Sequence, residues 1–293
     1  MEGKNRIFRN GGFGERTRDF SLKFDLHCHT RNGSPDARID IVNYVKLLKM
    51  YGYDGMLVTD HDSYNGYRAW QKAKEKMPLY RNFVVLRGVE YDTRDAGHIL
   101  VIMPQDVELK VLEVRGMRLE TLIQTVHDFG GILGPAHPYG SKSSSLQHAR
   151  WMGKDESLME EFDFVEGFNT CETPESNRKA QALAARHHKI CTGGSDAHKA
   201  LYVGMAYTEF EGEIRNNDDL IRAVKEKRIV SYGGRERKER GKYMKLIPKS
   251  AAFTVYNQGL MVIHTRTRRN LLRALDVYKA YMMQGEYVGQ IRQ

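Results

Sequence analysis

Cysteine is scarce in this sequence, which has three among 293 residues: Cys28, Cys171 and Cys191. Three scattered thiols are too few, and odd in number, for a disulfide framework. No apolar run approaches the roughly 20 residues that a membrane helix needs. Residues 1–20 contain basic side chains but lack the apolar stretch of a secretory signal. We therefore exclude a disulfide-rich secreted domain and a membrane bundle, and expect a cytoplasmic, reduced protein without a membrane partner.

The composition is that of an ordinary soluble globular protein, with 41% hydrophobic and 28% charged residues. Lys and Arg number 46 and Asp and Glu number 37, which gives a formal net charge of +9. This surplus favours anionic partners, either phosphorylated metabolites or nucleic acid, without choosing between them. Part of it lies in residues 235–249, where a solvated basic loop is favoured over a dedicated nucleic-acid patch.

Apolar strand-like runs alternate with amphipathic helical segments from residue 22 to residue 230. Such alternation predicts βαβ units, and hence an α/β fold with a largely parallel sheet. We expect residues 1–20 to form a loosely packed lead-in and residues 21–232 to form the main domain. Residues 233–293 are expected to form a basic loop and a C-terminal helix, which packs on that domain.

Six of the eleven histidines lie at or beside predicted strand ends. They are His27, His29, His61, His98, His137 and His198. In a parallel α/β barrel the carboxyl ends of the strands converge on one face, so these side chains are expected to meet. His27 and His29 are two residues apart, which places both on the same side of a strand. Paired imidazoles at a strand end are typical ligands of a divalent cation.

Carboxylates accompany these histidines. Asp60 and Asp62 flank His61, Glu90 ends another apolar run, and Asp196 precedes His198. Mixed imidazole and carboxylate sites accept Zn, Mn or Fe. About nine candidate ligands exceed the three or four that one zinc ion takes. The sequence therefore predicts two to three divalent metal ions in one cleft.

In this order, the motifs DLHCHT, TDHD, the Glu90–His98 pair, AHP and GSDAH resemble the polymerase and histidinol phosphatase (PHP) family. The resemblance covers about residues 22–210. It implies a distorted (β/α)7 barrel with a trinuclear metal cleft that hydrolyses phosphate esters, followed here by a C-terminal extension.

The resemblance also implies a ligand set. His27, His29, Glu90 and Asp196 would hold one metal, and Glu90 would bridge to a second metal held by His98 and His137. His61, His198 and an acid of the first loop would hold the third. The loop TRNGSPD is one residue longer than is usual in the family, and Asp36 is its candidate acid.

Two cations about 3.5–4 Å apart can clamp both the attacking and the phosphoryl oxygens of an in-line displacement. We expect the water between the metals to be the nucleophile and Glu90 to be essential. Asp62, Asp60 or a metal-bound water could protonate the leaving group. Candidate substrate-binding residues in loops at the metal end are Arg31, Arg94, Lys142 and Lys199. The Ser-rich segment 139–157 could cap the cleft with Trp151, or Trp151 could anchor that loop.

The leading hypothesis is an enzyme that hydrolyses a small phosphomonoester, such as a nucleotide or a sugar or amino-alcohol phosphate. One alternative is a phosphodiesterase or exonuclease acting on short oligonucleotides, which the net charge keeps open. Another is a non-catalytic PHP module in which the metal is structural. The completeness of the ligand set argues against the last, because a structural site needs only four closed ligands.

Overall fold

The computed structural model describes residues 21–154, 156–237, 255 and 259–290, with side chains up to residue 280. The lead-in predicted for residues 1–20 and most of the basic loop, residues 238–249, lie outside this part of the chain. The described chain has a mixed α/β fold. None of its helices combines the length and hydrophobicity needed to span a membrane.

The strands β1–β10 span Ser21–Cys28, Gly55–Val58, Val84–Arg87, Val89–Asp92, His98–Ile102, Ile132–Pro135, Phe164–Asn169, Ile190–Gly194, Ala206–Glu211 and Ile229–Gly234. The helices α1–α6 span Ile41–Met50, Asn65–Ala73, Leu119–Asp128, Pro174–Arg186, Asn217–Lys225 and Thr265–Gln290.

Strand pairing is more mixed than the largely parallel sheet that the alternation predicts. β1, β2 and β3 are parallel neighbours, as are β7 and β8. In contrast, β4–β5–β6 is antiparallel, and β9 runs antiparallel to both β1 and β10. The turn between β4 and β5 explains part of the difference: Thr93–Gly97 is far shorter than the dozen or so residues that a parallel crossover needs.

Backbone hydrogen bonds join the three sheets near the carboxyl ends of their strands. Glu90 N donates to Asp60 O, and Asp62 N donates to Glu90 O, which connects the end of β2 to β4. On the other side of β1, Asp196 N donates to His27 O at 2.8 Å. The segments that carry the predicted ligands are therefore fixed to one another by the main chain.

Helices cover the sheets with apolar stripes. Ile41, Tyr44, Val45 and Leu48 of α1 lie at helical spacing and are buried. They belong to the same buried cluster as Met56 of β2. Burial of such side chains contributes about 1.5–3 kcal/mol each. This packing holds the strands, and hence the side chains at their ends, in fixed positions.

The C-terminal helix α6 packs on the described fold. Leu271 and Leu275 contact a large buried cluster, and the Tyr278 ring stacks on Phe129 with centroids 6.3 Å apart. Buried Arg268 donates from Nη1 to the carbonyl oxygen of Arg115 at 2.6 Å. Arg268, Leu271 and Leu275 therefore lie on the face of α6 that contacts the rest of the described fold.

Candidate metal centre

Glu90 lies at the centre of the histidine cluster and is 1% exposed. Its Oε1 is 2.9 Å from both His98 Nδ1 and His137 Nε2. Its Oε2 is 2.9 Å from His61 Nδ1 and 3.2 Å from His29 Nε2. Burial raises the pKa of Glu90, but the surrounding imidazoles, His98 first, outweigh it and hold that pKa well below its ordinary value. The carboxylate is therefore ionised and shared among four imidazoles.

The end of β1 and the segment after β8 supply a second part of the cluster. His27 Nε2 and His29 Nε2 are 3.0 Å apart. Asp196 Oδ1 is 3.3 Å from His29 Nε2, and the residue has a left-handed backbone with a φ of 50°. Burial raises the pKa of Asp196, but the charges and hydrogen bonds of His27, His29 and His198 lower it well below its usual value. A second carboxylate therefore faces the same two imidazoles.

Asp36, His61 and His198 form the outer part of the cluster. Asp36 Oδ2 is 3.1 Å from His198 Nε2 and 3.6 Å from His61 Nε2. The Asp36 side chain is 42% exposed, so it lies at the mouth of the cleft. The extra residue of the first loop therefore leaves Asp36 within reach of both histidines.

The donor set fits divalent cations. Three overlapping groups each bring their ligand atoms within 4.8 Å of one another: His29–His61–His198, His27–His29–Glu90 and His61–Glu90–His98. Buried Glu90 Oε2 makes no hydrogen bond, although two ring nitrogens lie within 3.2 Å of it. A shared cation satisfies such an oxygen together with the imidazole nitrogens that face it. The sequence-predicted metal ligands are thus brought together in a geometry that divalent metals can use.

Glu166 of β7 supports two of these histidines, and sequence reasoning missed it. Its Oε1 accepts a hydrogen bond from His27 Nδ1 at 2.8 Å, and its Oε2 accepts from the backbone N–H of His137 at 2.6 Å. This arrangement leaves His27 Nε2 free to act as a ligand. The signal in the sequence was a single acid inside the apolar run FDFVEGFN, where burial requires partners.

We predict that Glu166→Gln weakens metal binding about 10- to 100-fold, as is usual for a residue that orients a metal ligand. The amide keeps one acceptor but replaces the other with a donor, so one of the contacts to His27 and His137 becomes repulsive. Titration with a competing chelator measures the affinity. Glu120→Gln, at an exposed position of α3, is the matched control. Unchanged affinity in Glu166→Gln would show that the carboxylate does not orient the site.

Asp60, one of the predicted candidates for the leaving-group acid, has hydrogen bonds to the first loop on both of its oxygens. It is fully buried. Its Oδ1 accepts from Thr30 N at 2.6 Å and Ser34 Oγ at 2.9 Å, and its Oδ2 accepts from Thr30 Oγ1 at 2.8 Å. Both oxygens are therefore engaged in holding the first loop.

Asp62 lies on the other side of His61 in a different environment. Its Oδ1 accepts from Asp92 N at 2.9 Å, and its Oδ2 is 2.9 Å from Arg115 Nη2. Burial raises the pKa of Asp62 to about 7, with Arg115 acting in the opposite direction. Arg115, in the loop before α3, was not anticipated, because nothing in its local sequence marks it.

The four basic residues nominated as substrate contacts have different positions. Arg31 is 63% exposed and lies 3.6 Å from Asp40 at the start of α1, so its partner is a helix cap. Arg94 is exposed, and its backbone N–H donates to Met117 O. Lys142 and Lys199 are exposed in segments that follow His137 and His198 respectively. All four lie within five residues of a proposed metal ligand, so distance along the chain does not choose among them.

Trp151 anchors its loop. The side chain is partly buried and packs against the same hydrophobic cluster as α3 and α4. Of the two alternatives for segment 139–157, the structure favours anchoring over a base-stacking cap.

Comparison with known proteins gives one family match. Residues 174–229 match a family model described as PHP-associated, which spans α4 to the start of β10 and includes Asp196 and His198. No curated protein matches the sequence.

Several solved structures share the fold. PsfC of Pseudomonas syringae aligns with a TM-score of 0.56 at 18% identity, over 82% of this chain and 99% of PsfC. A Bifidobacterium adolescentis protein inferred to be a metal-dependent phosphoesterase aligns with a TM-score of 0.51 at 17% identity. The alignment covers 69% of this chain and 95% of that protein. A two-domain Bacteroides vulgatus protein, containing a predicted PHP-like metal-dependent phosphoesterase, aligns with a TM-score of 0.52 at 18% identity. The alignment covers 78% of this chain and 70% of that protein. At these identities the likeness concerns the fold.

Proposed function

We propose that the chain is a PHP-type metal-dependent hydrolase whose substrate is a small phosphomonoester, and the match of residues 174–229 to a PHP-associated family model supports the proposal. The observation that carries this proposal is the position of Glu90. A single ionised carboxylate lies within 3.2 Å of four imidazole nitrogens, and the carboxylates of Asp36 and Asp196 face other histidine nitrogens of the same cluster. Such a set exceeds the closed four-ligand shell of a structural zinc site.

We propose two to three divalent ions, Zn, Mn or Fe, as the cofactors. The residues that would hold them are those of the three overlapping groups together with the residues beside them: His27, His29, Asp36, His61, Glu90, His98, His137, Asp196 and His198. When bound, such ions supply an activated water and neutralise phosphoryl oxygens. The corresponding architecture is the distorted (β/α)7 barrel. Backbone hydrogen bonds that join the segment after β2 to β4, and the segment after β8 to β1, support it.

The remaining residues have separate tasks in this proposal. Glu166 orients His27, and Asp60 holds the first loop that carries His29 and Asp36. Asp60 and Asp62 stay the candidate proton donors to the leaving group, because burial raises the pKa of both, to about 7 for the Asp62 carboxyl. Arg115 holds that carboxyl in place.

The test is phosphate release from a panel of monophosphates, bisphosphates and short oligonucleotides, with Mn or Zn added and with a chelator control. We expect turnover of monophosphates that the chelator abolishes. Turnover of oligonucleotides alone, with a steep salt dependence, would establish the phosphodiesterase alternative instead. Release of no phosphate by the metal-loaded protein would contradict the proposed function.

A further inference from the structure

Arg237 follows β10 and lies beside the metal centre, although no motif points to it. Its backbone N–H donates to Thr170 O at 3.0 Å. Its guanidinium carbon stands 3.7 Å from the centroid of the Tyr202 ring, and its Nη2 is 3.0 Å from Cys171 Sγ. The guanidinium therefore rests on the two loops that leave β7 and β8.

These loops connect Arg237 directly to the proposed ligands. Cys171 Sγ is 3.2 Å from the backbone oxygen of Asp196. Tyr202 belongs to the short 3-10 helix Ala200–Tyr202, which follows His198. Only one residue, Cys171, separates the guanidinium from the main chain of Asp196. Arg237 is therefore joined, through Cys171, to the segment that places the Asp196 carboxylate beside His27 and His29.

The guanidinium has donors left over. An arginine side chain offers five N–H groups. Among the described residues, its one side-chain hydrogen bond goes to a thiol, which is a weak acceptor, and no carboxylate pairs with it. Its Nε is buried and has no hydrogen-bond partner. A buried donor without a partner costs free energy, and an oxyanion that accepted its hydrogen bond would remove that cost.

A second cation lies near the same place. The charges of both Arg237 and Lys142 act on the Cys171 thiol, as do those of Asp196 and Glu172. Lys142 lies in the segment that follows His137, so the two cations approach Cys171 from different loops. The surroundings of Cys171 therefore contain two cations, Arg237 and Lys142, together with the carboxylates of Asp196 and Glu172.

We propose that Arg237 forms an anion-binding subsite next to the Asp196 side of the metal centre. Stacking on Tyr202 fixes the plane of the guanidinium, so that its N–H groups can bind two oxygens of a phosphate or a carboxylate in parallel. The subsite rests on the proposed function, because the anion belongs to the substrate. The anion is either the reacting phosphoryl group or a second acidic group of the same molecule.

The test uses ligands that a phosphoesterase cannot hydrolyse. Methylphosphonate presents one phosphoryl-like group, and phosphonoacetate adds a carboxylate to it. Calorimetry measures the affinity of both for metal-loaded wild type, Arg237→Gln and Arg237→Lys, with metal content and thermal unfolding recorded for each protein. Arg235→Gln is the matched control, since it removes the same charge from an exposed position two residues away.

We expect Arg237→Gln to weaken binding about 10- to 100-fold, as is typical for loss of a charge-assisted hydrogen bond. Arg237→Lys should recover part of the affinity, and Arg235→Gln should change it less than about 2-fold, as distant surface charges do. Loss for both phosphonates assigns Arg237 to the phosphoryl group. If the variant loses only the amount by which phosphonoacetate binds more tightly than methylphosphonate, Arg237 is assigned to a second acidic group of the substrate.

Wild-type affinity for both phosphonates in folded, metal-loaded Arg237→Gln would overturn the subsite and leave Arg237 with a purely structural role. If Arg237→Gln does not fold, the comparison of Arg237→Lys with Arg235→Gln decides in the same way. Binding is measured without turnover, so a protein that binds phosphonates through Arg237 but releases no phosphate would refute only the proposed function.

Discussion

Glu90→Gln should lose bound metal and turnover together. Loss of a residue that only orients a ligand costs about 10- to 100-fold, so loss of a shared ligand should lower kcat/KM by more than about 100-fold. The amide also places an NH₂ group among four imidazoles, where the structure has only a carboxylate. Elemental analysis and phosphate release, measured on the same sample, check the prediction.

Glu211→Gln is the matched control for this variant. Glu211 lies at the exposed end of β9, so the substitution removes one negative charge without touching the cluster. It should leave both metal content and turnover at wild-type level. A Glu90→Gln protein that retained full activity with full metal content would show that Glu90 is not an essential metal ligand.

Removal of the metal should make stability depend strongly on pH above neutrality. Burial lowers the pKa of His27, His61 and His137, but the carboxylates around them, with Glu90 common to all three, outweigh it, so these pKa values lie above the ordinary 6.5. Groups with a raised folded-state pKa contribute stability fully below pH 6.5, and that contribution is lost as pH rises through the raised values. His29, whose pKa burial lowers, acts in the opposite direction.

The carboxylates of the cluster set the lower end of the pH range in which the metal-free protein is most stable. The pKa values of Glu90 and Asp196 are lowered in the folded protein, so their contribution is present above their ordinary values and is lost as pH falls through the lowered ones. The metal-free protein should therefore be most stable between about pH 4.5 and pH 6.5. At higher pH the imidazoles lose their protons, and buried carboxylates remain without a cationic partner.

Loss of a partner from a buried ion pair costs about 3–5 kcal/mol, so the unfolding free energy of the metal-free protein should fall by about that amount as the pH rises from 6.5 through the raised pKa values of these histidines. Metal ions take the place of the protons, and the metal-loaded protein should change little over this range. Denaturant unfolding of both forms at several pH values measures the difference. Parallel curves for the two forms would show that the cluster does not hold metal at neutral pH.

The site was predictable where residue type and strand end coincide. His27, Glu90 and Asp196 can be recognised in the amino-acid sequence because each lies at the end of an apolar run, and the carboxyl ends of such strands share an edge. The same rule does not separate Asp60 from Asp62, which both lie beside His61 in the sequence. The contacts of Asp60 are made with Thr30 and Ser34, which belong to another loop.

Residues that support the site were missed because their partners are remote in the chain. Glu166 orients His27, which lies 139 positions earlier, and Arg237 meets Cys171 across 66 positions. No local period or motif encodes such pairs. For the fold, helix–strand alternation predicted the α/β class but not the antiparallel β4–β5–β6 sheet, in which the short turn after Asp92 explains only the β4–β5 pairing.

The most direct test of the central claim is the number of metal ions per chain in protein purified without chelator, measured together with phosphate release from the same preparation. We predict two to three divalent ions per chain and a turnover that declines in step as a chelator withdraws them. Fewer than one ion per chain, or undiminished turnover in the metal-free protein, would contradict the claim that this cluster is a catalytic metal centre.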